Sequence, residues 1–130
     1  MTHIAVAPGH VNSHAFAEMT GLTYRQVDYW TRQDILIPDT PATGSGTFRE
    51  WSAGEIRIAK VLKQLSDLGM SWERMQVVAQ YLRDRLRFFP YAAWAIVELT
   101  PINTLTVRVT TDNSTNGPAW VAQLPAEEEL

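Results

Sequence analysis

Residues 16–36, FAEMTGLTYRQVDYWTRQDIL, constrain the fold more than any other stretch, because they read as two short amphipathic helices around a glycine-centred break. The first helix is expected over residues 13–19, with Ser13 as N-cap and Ala15, Phe16 and Met19 on one apolar stripe. Thr20-Gly21-Leu22 is the turn: Gly21 can take the positive φ that ends a helix, and Leu22 is placed to pack between the two helices. Thr23 caps a second helix over residues 24–33, in which Val27, Trp30 and Thr31 share a face and Arg25, Gln26, Tyr29 and Arg32 point outward. Those outward side chains suit DNA. Arginine pairs with phosphate or guanine, glutamine with adenine, and tyrosine donates to phosphate.

Upstream, residues 1–12 show little periodicity and contain Pro8-Gly9, so they are expected to form a flexible arm. His3, His10 and His14 fall in or beside this arm with spacings that match no metal-ligand pattern. Downstream, Ile35-Leu36-Ile37 and residues 47–51 (TFREW) are β-favouring runs separated by PDTPATGSG, which predicts a hairpin with a glycine-rich tip, or else a plain surface loop. A hairpin beside a helix-turn-helix is a wing, and Gly44, Ser45 and Gly46 would let its backbone approach phosphates.

Ser52-Ala53-Gly54-Glu55 has the form of a capping box and starts a helix expected to reach Leu68, with Gly69 ending it. Ile58, Val61, Leu62, Leu65 and Leu68 make its apolar face, and Arg57, Lys60, Lys63 and Gln64 its wet one. Ser71 caps a further helix with Met75, Val78, Ala79, Leu82 and Leu86 on one stripe, stopped near Phe88 by Pro90. Arg83, Arg85 and Arg87 near its end either offset the helix dipole or make a second phosphate contact. Beyond Pro90 the period changes. Residues 92–99 suit helix or strand, Leu105, Val107 and Val109 alternate with polar neighbours, and Trp120, Ala122 and Leu124 alternate again, so a two- or three-stranded antiparallel sheet is expected. So small a sheet must pack on the helices, a ligand or a second subunit.

Length and composition fit one domain of 130 residues: an arm (1–12), a DNA-binding unit (13–89), a β-rich segment (90–125) and an acidic tail (126–130). With no cysteine, disulfides and thiolate metal sites are excluded. The absence of a long apolar run and of a signal-like start points to a cytoplasmic protein with no membrane partner. The net charge of -3 disfavours nucleic acid at first sight. Its distribution does not, since residues 1–89 carry 10 Lys and Arg against 9 Asp and Glu, while residues 90–130 carry 1 against 5.

The order helix, turn, helix, wing, helix, turn, helix resembles the MerR superfamily of winged-helix DNA-binding proteins over residues 13–86. The resemblance rests on Thr20-Gly21-Leu22-Thr23 with Arg25, Tyr29-Trp30, Leu36, Pro38, Gly44-Ser45-Gly46 with Phe48-Arg49, and Trp51-Ser52. The DYW and GSGT wording is nearer to actinobacterial and phage-borne members than to metal sensors. The resemblance implies a mainly α fold with a small β component, four helices plus a wing hairpin, followed here by the antiparallel segment. It also implies DNA contacts: Arg25 in the major groove, Tyr29 on phosphate and Arg49 in the wing, to which the outward positions add Thr23, Tyr24, Gln26, Arg32, Ser45 and Thr47. The chain departs from metal- and drug-sensing members in lacking sustained heptads after Pro90, so a dimer must use another surface. Asp28 and Glu50 stand among these residues, either orienting Arg49 and Arg32 or opposing phosphate.

These features support a sequence-specific transcriptional regulator that binds double-stranded DNA, as a homodimer or a cooperative assembly. Residues 90–125 are then the candidate surface for dimerisation, a signal, or contact with RNA polymerase or another protein. A phage excisionase or DNA-bending factor fits the same core, and an interaction module that has kept the fold without DNA fits the acidic balance. No cofactor is called for. An enzyme is disfavoured, because no nucleophile motif or spaced carboxylate pair is present. A small pocket between the sheet and the last helix, lined by Phe88, Tyr91 and Trp94, is a further possibility.

Overall fold

The computed structural model describes residues 9–39 and 49–126. Strand β1 (His10–Asn12) leads into α1 (Ser13–Thr20) and α2 (Tyr24–Arg32). Strand β2 (Glu50–Ser52), α3 (Ala53–Asp67) and α4 (Trp72–Phe88) follow, and the sheet strands β3 (Trp94–Leu99), β4 (Leu105–Thr110) and β5 (Trp120–Gln123) complete the order. The chain is thus four helices with antiparallel strands, a helix-turn-helix unit followed by a small sheet.

Each helix starts where a polar side chain takes up a free amide. Asn12, rather than Ser13, caps α1 by accepting from the Ala15 amide at 2.9 Å. Thr23, Ser52 and Ser71 cap α2, α3 and α4 by accepting from Gln26, Glu55 and Arg74. Gly21 takes φ 78° and sends its amide to Ala17 O at 3.0 Å, so α1 stops there and the chain turns. The α1–α2 unit then closes on Phe16, Leu22, Val27 and Trp30, all buried, and Phe16 stacks on Trp51 with ring centroids 4.1 Å apart. Trp51 in turn donates to Ser13 Oγ at 2.9 Å, which locks the start of α1 to β2.

Several expectations are corrected. Residues 10–12 are not part of an arm: they pair antiparallel with β2, His10 opposite Ser52 and Asn12 opposite Glu50. Residues 35–37 are not the partner of the 50–52 strand, although Asp39 donates to Glu50 O at 2.9 Å. Residues 40–48, with Ser45 and Thr47, lie outside the described residues, as do residues 1–8 and 127–130. The pairing of three residues with three others some forty positions away has no local period to announce it.

On α3, Leu68 is exposed and Arg57 is buried, the reverse of the amphipathic reading. The reason is the C-terminal sheet. Arg57 donates to three carbonyls, Pro125 O at 2.7 Å, Pro90 O at 2.9 Å and Ala92 O at 3.0 Å, and so joins α3 to both ends of the sheet segment. Gln64 does similar work at the edge, exchanging two hydrogen bonds with the Gln123 backbone. The α4 stripe is as expected, with Met75, Val78, Ala79 and Leu82 buried and Leu86 partly so.

The sheet order is β4-β3-β5, with β3 in the middle and antiparallel to both neighbours. Ala95, Val97, Val107 and Ala122 make its inner face, with α4 against β4 and α3 against β5. On the outer face Arg108 reaches Glu98 and Ser114 O, so the β4–β5 connection passes over that side. In this connection Asp112 accepts from the Ser114 amide at 2.7 Å, a bond that holds its carboxyl below the usual aspartate value. Among the described residues no helix is long and apolar enough to cross a membrane.

Candidate nucleic-acid interface

The face built by α2 begins with its cap. Thr23 Oγ1 accepts from the Gln26 amide at 3.0 Å while Gln26 Oε1 accepts from the Thr23 amide at 2.9 Å, a complete capping box. Gln26 is therefore turned back onto the helix end, with its amide oxygen engaged, where the sequence had it pointing outward to a base. Tyr24 and Tyr29 are exposed, and so is Arg25, which among the described residues has no hydrogen bond or ion pair.

The opposite face of α2 fixes its attitude. Val27 and Trp30 are buried, the amides of Ile35 and Leu36 donate to Trp30 O, and Gln76 of α4 donates to Gln33 O at 2.7 Å. The chain leaving α2 turns at Asp34 with φ 59°, a left-handed position that aspartate tolerates better than most side chains. It is then held from below by Glu55 and Arg83. The Ile37 amide donates to Glu55 Oε2 at 2.9 Å, Arg83 donates to Ile35 O at 2.6 Å, and the Arg83 and Glu55 side chains pair at 2.5 and 3.1 Å. Glu55 thus does not reach back to the Ser52 amide as a capping box requires, and Arg83 does not serve the α4 dipole. Both belong to a lock under the chain that leaves α2. Local sequence carries no sign of this pair, whose members stand 28 positions apart.

Asp28 joins α2 to the residue just before β2. Its two oxygens accept from Arg32 Nε at 3.1 Å and from Arg49 Nη1 at 3.3 Å, so of the two roles open to this acid it takes the orienting one. The Arg49 side chain is only 19% exposed, whereas that of Arg32 is 72% exposed. Arg25, Arg32 and Arg49 against Asp28 and Glu50 leave this set of residues with a single positive charge in excess, in a chain of net charge -3. Arg85 is outside this set, donating to Val107 O and paired with Asp84. His10 contacts Asp39, and among the described residues no three His, Asp or Glu side chains gather as metal ligands.

The apolar cleft expected beside the sheet is present in shallow form. Phe88, Phe89, Tyr91 and Val109 line it, but Trp94 does not.

Comparison with known proteins agrees with this architecture. Three mycobacterial proteins named as uncharacterized HTH-type transcriptional regulators, one from Mycobacterium bovis and two from strains of Mycobacterium tuberculosis, are each 39% identical over 69 residues. That stretch is 52% of this chain and 31% of theirs, so the chain spans about a third of the length of these relatives. The family described as MerR HTH family regulatory protein matches residues 11–82, from β1 through most of α4, and the chain belongs to that family.

Proposed function

We propose that this protein binds double-stranded DNA in a sequence-specific way as a transcriptional regulator, with α2 in the major groove and the 38–51 wing segment along the flanking backbone. The observation that carries this reading is the state of Arg25, which stands exposed and, among the described residues, unpaired near the start of a helix whose other face is anchored by Val27 and Trp30. An arginine presented from the first turn of a seated helix can take the O6 and N7 acceptors of a guanine with both arms of its guanidinium. Tyr24 and Tyr29 flank it with hydroxyls suited to phosphate oxygens, and Arg32 extends the contact toward the helix end. Arg49, steered by Asp28, meets the backbone beside the groove, with Ser45 and Thr47 of the wing segment as further phosphate contacts.

One helix and one wing supply few phosphate contacts, so useful affinity calls for two subunits on paired half-sites or cooperative filling of adjacent sites. The test is to incubate the purified chain with fragmented genomic DNA at physiological salt and sequence what is retained. A shared motif is the expected result, and its symmetry reports how the subunits are arranged. Arg25→Ala should then lose roughly 1–3 kcal/mol of specific binding and relax preference at one base position. Two cationic phosphate contacts per subunit, Arg32 and Arg49, predict that affinity falls with salt at a log–log slope of about -2 per subunit. Retention without any motif, or a flat salt response, would remove the DNA-reading role and favour a protein-docking one.

A further inference from the structure

Behind the Glu55–Arg83 lock, the start of α3, the last turns of α4 and the chain after α4 enclose a surface cavity of about 250 Å³. Its walls carry Arg57, Arg83 and Arg87 but one acid, Glu55. Glu55 answers Arg83, while among the described residues every hydrogen bond that Arg57 makes ends on a neutral backbone carbonyl, so the Arg57 charge, 2% exposed, has no described carboxylate against it. Arg87 is exposed and, among the described residues, forms no ion pair. One further atom is out of balance: among the described residues Arg83 Nη1 is buried with no acceptor, a state that native structures seldom leave unanswered. Ile58, Leu86 and Pro90 give the lining an apolar part.

We propose that this cavity binds a small organic anion, its carboxylate or phosphate group set against Arg83 and Arg87 and its apolar body against Ile58, Leu86 and Pro90. The negative group pairs with the exposed Arg87 and offsets the excess of cationic wall. The volume, below the roughly 300–1,000 Å³ of most ligand clefts, limits the occupant to a single small ring or a short chain. The binding claim stands independently of any role in reading DNA.

The probes are sodium benzoate, which has both a carboxylate and an apolar body, and inorganic phosphate, which has charge alone. Each is titrated into the full chain at constant ionic strength, with sodium chloride as blank, and followed by amide chemical shifts. Saturable one-to-one binding of benzoate is expected, with perturbed amides clustered at residues 52–58 and 83–90. Arg87→Gln, at an exposed position, should weaken it at least tenfold while leaving the circular dichroism spectrum intact. A non-saturating response equal to chloride, or undiminished binding by Arg87→Gln, would overturn the site, and binding of phosphate without benzoate would overturn its apolar half. Replacing Glu127, Glu128 and Glu129 by Gln tests the other candidate occupant. Unchanged affinity supports an external ligand, whereas a tenfold gain would assign the cavity to the chain's own carboxylates.

Discussion

The helix-turn-helix unit and the C-terminal sheet satisfy their backbone polar groups in opposite ways. In the first, Asn12, Thr23, Ser52 and Ser71 each cap a helix from within three residues of the amide they serve. In the second, the carbonyls of Pro90, Ala92, Val107, Gln123 and Pro125 are met by Arg57, Gln64 and Arg85, side chains that belong to helices far away in sequence. Local satisfaction makes an element nearly independent of its surroundings. Distant satisfaction makes the sheet a dependent of α3 and α4, and losing one helix side chain should undo it.

The sharpest way to break this contrast is Arg57→Ala. It removes a buried cation and leaves three carbonyls without donors, which should cost about 3–5 kcal/mol in urea unfolding, with amide exchange in β3 and β5 rising before that in α1 and α2. An equal rise in all elements would show that the sheet is no more dependent than the rest. Glu55→Ala probes the place where the helix-turn-helix unit itself relies on a distant pair. Stranding Arg83 should cost about 3 kcal/mol and speed exchange at the Ile37 amide, which loses its acceptor.

These two residues also mark where the sequence stops being legible. The stripe Met75, Val78, Ala79 and Leu82 is plain because helical period and burial coincide there, and Gly21 is plain because only glycine takes φ 78° at no steric cost. Arg57 reads from the sequence as a wet-face residue and Glu55 as half of a capping box. Charge and spacing point that way, and the partners that bury them lie from 28 to 68 positions further on. Helix α2 is legible back to its cap at Thr23, but Gln26 looks from the sequence like an outward side chain, since an outward helical position looks the same whether its side chain extends or folds back. The pairing of β1 with β2 is hidden for a different reason: three-residue strands are too short to show alternation.

Smaller effects sharpen the comparison from the local side. Thr23→Ala removes a cap that serves only α2 and should cost about 1 kcal/mol in thermal unfolding, with the sheet untouched. Asp28→Asn should change stability by less than about 1 kcal/mol, because its pairs with Arg32 and Arg49 are partly solvated. In exchange it frees two cations, so binding to a selected DNA fragment should tighten. Weaker binding would mean that steering Arg49 matters more than the charge it neutralises.

The three bonds of Arg57 also bear on how such a chain can be cut or recombined. The family-matched segment ends at residue 82, before any of the carbonyls that this arginine needs. A fragment trimmed to that boundary would carry a cation built for burial and no acceptor to bury it with. Likewise, a different C-terminal module grafted after α4 would be accepted only if it presented three carbonyls at the same places, or arrived together with a change at position 57. In this protein the junction between the family unit and the C-terminal sheet is written into helix side chains, Arg57 foremost with Gln64 and Arg85 beside it, so the two parts are matched to each other.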